Sequence, residues 1–456
     1  MLLAALVVLA AVAAAVWLRT AGRHEPAPPR GNRTAAAPEE PPPVDPAGVL
    51  GVAPEPPQTV EALKDEALAA CRRLVSDLPG RPQAHAVMAI TLMRLGQTDP
   101  AVEAWRECLK LDRDFAPALL GLGKIAADRA QYDDAADYVW KSVERAADPT
   151  SAYSLLTEIL LQQGKTDEAL RIAQTHVARA PDSAEAHFWL GQVWLEMQRY
   201  DEAQRSHERA VELRPEFTSA YHSLGIAAAR RGQREQAAAY RKKFAELKQN
   251  DLARDRGRNR QYRDLPAQQE IAATVYRSAG DVYADAGNLR LAEAHWLRGA
   301  AVAPQETACR AALLALYEQQ DRPQAALRVV EPLLTGPHAD ADLWTRAGQL
   351  YVRLERFEPA ERAFRRAIEE NPQAAEACFG LAELLIAAGR DAAEYAPWAE
   401  KAAALAPSVR TYLLAGAVRH ERGDRRGALA AVEQAMRLDP GNPQVQRAYA
   451  ELKANQ

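Results

Sequence analysis

The chain has 456 residues and sets 57 Lys and Arg against 61 Asp and Glu, a formal charge of −4, which excludes the global basic field that holds nucleic acid. Hydrophobic residues at 48% beside charged residues at 26% mark a folded chain and exclude a disordered one. Four scattered cysteines, Cys71, Cys108, Cys309 and Cys378, form no C-x-x-C pair, so a disulfide framework is excluded as well.

Residues 1–18 are an unbroken apolar run, MLLAALVVLAAVAAAVWL, followed by Arg19, Arg23 and Arg30. At about 1.5 Å per residue the run reaches roughly 27 Å as a helix, close to the ~30 Å hydrocarbon core of a bilayer. Trp17 stands where an interfacial aromatic belongs. The run predicts a transmembrane or signal-anchor helix and a single-pass, membrane-anchored chain. A cleaved secretory signal is the alternative; against it stand the missing positive n-region and the missing small-residue cleavage site. The positive flank favours a cytoplasmic bulk, with a periplasmic or extracytoplasmic bulk left open. Residues 19–58 hold prolines at 26, 28, 29, 38, 41, 42, 43, 46, 54, 56 and 57. That density opposes helix and favours extended polyproline geometry, a semi-rigid linker.

From residue 59 the prolines thin out and helical periodicity takes over, forming an N-terminal array over 59–249. Within residues 184–217, Leu190, Gly191, Trp194, Tyr200, Ala203, Ala210 and Pro215 occupy positions 7, 8, 11, 17, 20, 27 and 32 of a 34-residue unit. Position 8 is Gly again at 123, 225, 280, 348 and 416, and position 20 is Ala at 101, 135, 169, 237, 292, 326, 360 and 428. Ten units start near Pro82, Ala116, Thr150, Ala184, Thr218, Ala273, Thr307, Ala341, Ala375 and Val409. This frame resembles the tetratricopeptide repeat, a helix–turn–helix module of that period. The resemblance implies an all-α fold, an α-solenoid of about ten such repeats in two arrays, here preceded by the N-terminal apolar helix. Small residues at positions 8 and 20 let the two helices approach closely, large ones such as Leu190, Trp344, Tyr351 and Phe364 fill the seam, and Pro at position 32 ends the second helix.

Two units depart from the frame. The one from Thr307 has Leu314 at position 8 and Pro323 just before its second helix; the one from Ala375 needs an extra residue and puts Tyr395 where Ala is expected. Distorted packing is expected at both. Residues 60–78 read as a leading helix and 443–455 as a terminal one, whose Arg447, Glu451 and Lys453 solvate the last repeat. Repeat phase breaks at a basic connector over 250–266. Nine Lys and Arg stand against four Asp and Glu between 241 and 264, a mixture that reads as an overlong helix running into a solvated connector more than as a patch for an acidic partner. A C-terminal array follows over 267–456.

Catalytic signatures are missing. Gly121-Leu122-Gly123-Lys124 follows no strand and lacks the spacing of a phosphate loop. No H-E-x-x-H pair occurs, His85, His187 and His207 fall in packing positions, and no loop activates a Ser or Cys. The reading is a non-enzyme with no cofactor and no metal. The family resemblance implies concave superhelical grooves, lined by the first helix of each repeat, that bind peptides or helices of protein partners. Candidate groove residues are Glu158, Glu185, Phe188, Gln192, Glu196, His222 and Arg230 in the first array, with Arg277, Asp281, Arg353, Phe379 and Glu383 in the second. Phe188 and Phe379 are the candidate apolar anchors, with ordinary packing as the equal alternative. Ala86 and Ile90 stand where a carboxylate clamp needs Lys and Asn. The expected function is a membrane-tethered interaction scaffold for protein partners of unknown identity, held to the membrane through residues 1–18, with no nucleic acid. The alternatives are a structural or assembly subunit of a cell-envelope or secretion complex and an accessory subunit of an enzyme whose catalytic part is elsewhere; self-association stays open.

Overall fold

The computed structural model describes residues 42–261, 264–336 and 339–454, the side chains of 253–261 excepted. Every regular element among them is helical. Two helices lead, α1 (Pro46–Leu50) and α2 (Val60–Asp77). Five pairs follow: α3 (Pro82–Arg94) with α4 (Thr98–Leu111), α5 (Ala116–Asp128) with α6 (Tyr132–Arg145), α7 (Thr150–Gln162) with α8 (Thr166–Arg179), α9 (Ala184–Glu196) with α10 (Tyr200–Leu213), and α11 (Thr218–Arg230) with α12 (Arg234–Gln261). Five more are α13 (Leu265–Asp285) with α14 (Leu289–Val302), α15 (Ala308–Gln319) with α16 (Pro323–Val330), α17 (Ala341–Arg353) with α18 (Phe357–Glu370), α19 (Ala375–Ala387) with α20 (Ala392–Leu405), and α21 (Val409–Glu421) with α22 (Arg425–Leu438). The last helix is α23 (Pro443–Ala454).

Two expectations about the N-terminal region are corrected. Among the described residues no helix is long and apolar enough to cross a membrane. The described helices that reach a bilayer's length, α2, α12 and α13, all carry charges along them. Residues 1–18 lie outside the described residues, so a single-pass membrane anchor is not supported. The proline-rich linker is also not wholly extended: α1 forms inside it, with Asp45 capping the amides of Ala47 and Gly48. Pro46 is tolerated as its first helical residue because an N–H there has no partner within the helix.

Each of the ten frames turns at the same place. Position 15 is left-handed in all of them, at Gly96, Gly164, Gly232, Gly287, Gly389 and Gly423 and also at Ala130, Gln198, Asp321 and Glu355, where φ is 55° to 57°. The next amide donates back to the carbonyl at position 11, as Gln97 does to Leu92 (2.8 Å) and Arg356 to Tyr351 (2.9 Å), which closes the first helix. Position 20 then meets the first helix: Ala101, Ala135, Ala169, Ala203, Ala360 and Ala428 have no exposed surface.

A second regularity joins one repeat to the next. The side chain at position 24 lies across position 8 of its own unit; a Cβ on Gly348 would stand 2.6 Å from Phe364, and one on Gly191 2.5 Å from His207. The same side chain also meets position 6 of the following unit. A Cβ on Gly380 would stand 2.6 Å from Phe364, and one on Gly121 2.5 Å from Trp105. In the fifth unit position 24 is Arg241, which is exposed.

The described helices fall into two compact units. In the first, Val44–Cys309, successive first helices touch directly (α5 with α7, α7 with α9, α9 with α11), as well as the second helices between them. Repeat phase assigns α13 and α14 to the C-terminal array, but α13 packs on α2 and α3, and α14 packs on α1. The contact is sealed by buried charge. Arg298, 1% exposed, pairs with Glu66 through Nε (2.8 Å) and Nη2 (2.9 Å) and donates to the carbonyls of Pro54 (3.1 Å) and Glu55 (3.2 Å). Tyr276 donates to the same Glu66 (2.6 Å), and Tyr283 to Asp77 (2.8 Å). The basic stretch over 250–261 is the end of α12, one continuous helix of 28 residues.

The second unit takes in the helices from Arg310 onward. Both irregular joints lie here. Helix α16 has only 8 residues and passes into a 3-10 turn, Glu331–Thr335, that contains Pro332. Helix α20 carries Pro397 in its interior, and Tyr395, 2% exposed, fills the place of the missing alanine. Val445, Ala448, Tyr449 and Leu452 of α23 pack on α21 and α22, and its charged and amide side chains are exposed.

Gly348→Ala should cost about 1–3 kcal/mol by overpacking Phe364, although alanine is the better helix former by about 1 kcal/mol. Glu355→Gly should gain roughly 1 kcal/mol by relieving a left-handed residue; urea denaturation measures both. Glu66→Gln should cost about 3–5 kcal/mol because it strands the buried Arg298 charge, read as an earlier unfolding transition. His207 and His295 have no exposed surface, and burial holds their pKa down to about 3 and about 4. The unfolded chain, with histidines near 6.5, therefore takes up protons first, so stability is full above about pH 6.5 and is lost as pH falls toward 4. At pH 5 the loss should be about 2 kcal/mol per histidine, and His207→Leu should flatten the dependence of the urea midpoint on pH between 7.5 and 5.

Candidate functional site

Packing consumes one side of each first helix and leaves another free. In the first unit, positions 9 and 13 lie one helical turn apart on the free side. Position 9 supplies Ile90, Lys124, Glu158, Gln192 and Ile226; position 13 supplies Arg94, Asp128, Gln162, Glu196 and Arg230. All are exposed except Gln192, which is half-buried. Ile90 and Ile226, at 43% and 40% exposure, are the apolar members of a wall that is otherwise charged or amide-bearing. Burial first, and then the charge of Asp128, raise the Glu158 carboxyl above its ordinary range.

The structure thus gathers Glu158, Gln192, Glu196 and Arg230 of the expected residues onto one wall. His222 is exposed beside it, its ring 5.0 Å from that of Phe244. Glu185 is exposed but engaged, 2.7 Å from Arg214. The two expected apolar anchors are corrected. Phe188 is 8% exposed because the rings of Trp189, His207 and Phe217 surround it. Phe379 is 3% exposed, packed in the core of the second unit under the guanidinium of Arg410. Position 5 is covered by the segment that enters the next repeat, so ordinary packing is the role found for both.

The expected second-array residues do not form one group. Arg277 and Asp281 belong to the first unit. They pair with each other, and Trp296 donates to Asp281 (3.1 Å) and to the Arg277 carbonyl (3.2 Å), which ties α13 to α14. Arg353, Phe379 and Glu383 lie in the second unit, where Arg353 pairs with Asp321. Burial pushes the Glu383 carboxyl up to about 7, against a smaller opposing effect of Arg410. Glu376, which pairs with Arg410 at 2.6 Å, was missed from sequence; its signal was the shared stripe with Phe379 and Glu383.

The titratable groups in the core are arranged for packing. Cys71 and Cys108 are buried thiols pushed up to about 11 and about 12 by desolvation, so neither supplies a thiolate near neutrality. His85 and His187 sit at equivalent positions, each with a ring nitrogen on the carbonyl six residues earlier, Pro79 (3.1 Å) and Pro181 (2.9 Å). Among the described residues no group of three or more His, Cys, Asp or Glu could hold a metal ion.

Comparison with known proteins agrees with the repeat frame. Models of the tetratricopeptide repeat match residues 87–152, 160–229 and 345–409. No curated protein matches the chain. Among solved structures, a crystal structure of MamA is 28% identical, covering 36% of this chain and 97% of its own with a TM-score of 0.34. MamA 41-end from Desulfovibrio magneticus RS-1 is 21% identical, with 37% and 96% covered and a TM-score of 0.34. YrrB, described as a TPR protein with an unusual peptide-binding site, is 19% identical, with 41% and 97% covered and a TM-score of 0.35. On the matched segments and the turn geometry together, this chain contains tetratricopeptide repeats.

Proposed function

We propose that the protein is a non-catalytic interaction scaffold that receives segments of a protein partner along the free faces of its first helices. The observation that carries this reading is the wall of positions 9 and 13. Five neighbouring helices present ten side chains there, nine of them exposed. The pairs are held together by other stripes, so the nine exposed side chains are left for recognition, while Gln192 accepts from Ser223 of the next repeat (3.5 Å). Their mixture of carboxylates, cations and two isoleucines suits an extended segment read at several points, with no single contact dominating. Raised proton affinity at Glu158 adds that a cationic group of the partner would relieve a partly desolvated acid there.

The test is photocrosslinking in the cell of origin from residues 158 and 226, with residue 141 on the opposite, second-helix side as control. Capture of the same protein from the first two sites and not from the third is expected. With that partner purified, Glu158→Lys combined with Glu196→Lys should weaken binding about tenfold or more. Equal capture from residue 141, or an affinity unchanged by the double charge reversal, would refute the assignment of the wall.

A further inference from the structure

The second unit contains a seat for an arginine that is filled from within the chain. Glu376, Phe379 and Glu383 stand at i, i+3 and i+7 on α19, one stripe along a single helix face. Arg410, from α21 in the next repeat, reaches into that stripe. Its guanidinium carbon lies 3.9 Å from the centre of the Phe379 ring, and its Nη2 lies 2.6 Å from Glu376 Oε2. The two charged side chains are 52% and 58% exposed, and an ion pair so open to water is weakly held. Glu383, further along the stripe, is half-buried and forms no ion pair among the described residues.

We propose that this stripe recognises an arginine side chain on the partner segment, which exchanges with Arg410 on the Phe379 face and pairs with both carboxylates. The inference rests on the reading that first-helix faces receive partner segments, and it names the chemistry that one such face selects. Arginine fits better than lysine because a flat guanidinium can lie on an aromatic ring while its edge still donates to flanking carboxylates. Arg410 pairs with Glu376 alone, so Glu383 remains desolvated without a partner, and this is why its carboxyl holds its proton up to about 7. An incoming guanidinium set between the two acids would supply what Arg410 does not reach. The repeat from Ala184 gives an internal comparison, with Glu185, Phe188 and Gln192 in the same three places. There Gln192 lacks the second charge, Arg214 holds Glu185 at 2.7 Å, and the Phe217 ring lies 4.9 Å from that of Phe188. That repeat lacks the open carboxylate and is not a second seat.

The test uses the full chain and pools of short random-sequence peptides carrying a fixed central arginine, lysine, citrulline or leucine. Fluorescence anisotropy is read at a pH of about 8.5, where a carboxyl of this kind is ionised. The arginine pool should bind about tenfold tighter than the pool with citrulline, its uncharged isostere. Glu383→Gln should remove most of that preference. Arg410→Ala should tighten the arginine pool, because it removes the internal competitor; an arginine with a merely structural role would leave affinity unchanged or weaken it. Arg410 is exposed and Glu383 half-buried, and thermal unfolding of each variant checks that the fold is kept. Equal binding of the arginine and citrulline pools overturns the proposal, and so does weaker or unchanged binding by Arg410→Ala. Pools that respond to Glu158→Lys with Glu196→Lys but not to Glu383→Gln or Arg410→Ala overturn the seat and leave the broader reading standing. Absence of binding by every pool overturns both.

Discussion

The volume at position 24 must match the backbone on either side of it, and the stacking of repeats depends on that match. Phe364 is flanked by Gly348 from its own repeat and Gly380 from the next, both so close that a methyl group would collide with the ring. Trp105 meets Gly121 in the same way. A helix pair cannot cover its own apolar stripe, and this clasp is where the neighbouring pair covers it. The rule also accounts for an edge. Arg241 occupies the position in the fifth repeat and faces water, so α11 and α12 present a charge where the clasp on a sixth repeat would form.

That division of labour leaves one side of each first helix out of the packing. In the first five repeats positions 8, 20 and, Arg241 excepted, 24 are used in packing, while positions 9 and 13 point elsewhere and, Gln192 excepted, stand exposed. The free positions vary widely in character, from Ile90 and Ile226 to Glu158 and Arg230, whereas position 20 is alanine in nine of the ten units and position 24 ranges from Ala173 to Trp105 with the space its neighbours leave. The stripe on α19 is a case where both roles meet: Phe379 belongs to the core, and the charges flanking it reach the surface.

The helix-pair architecture was readable because its cause is local and periodic. A glycine or alanine at a fixed interval has few explanations besides close helix approach, and the frame set by Gly191 and Ala203 held through Gly416 and Ala428. Position 15 was not read from sequence, because Ala130, Gln198, Asp321 and Glu355 give no hint that they adopt a glycine-like backbone; the surrounding turn imposes it. The site was less legible. Phe188 and Phe379 occupy nominal groove positions, and only the three-dimensional placement of Phe217 and Arg410 shows that they are covered. Nor does anything local announce that α13 belongs beside α2, since Glu66 and Arg298 are ordinary charged residues until they are brought together.

That last pairing changes when this protein can finish folding. Repeats normally mature one after another as each leaves the ribosome, because every contact is with a neighbour. Glu66 instead waits for a guanidinium 232 residues later. Until then α2 has exposed apolar side chains and a carboxylate without its counterion, so the start of the array stays provisional through the synthesis of all five repeats that follow it. Such a late closure exposes a nascent chain to misassembly and to chaperones for longer than its local architecture suggests.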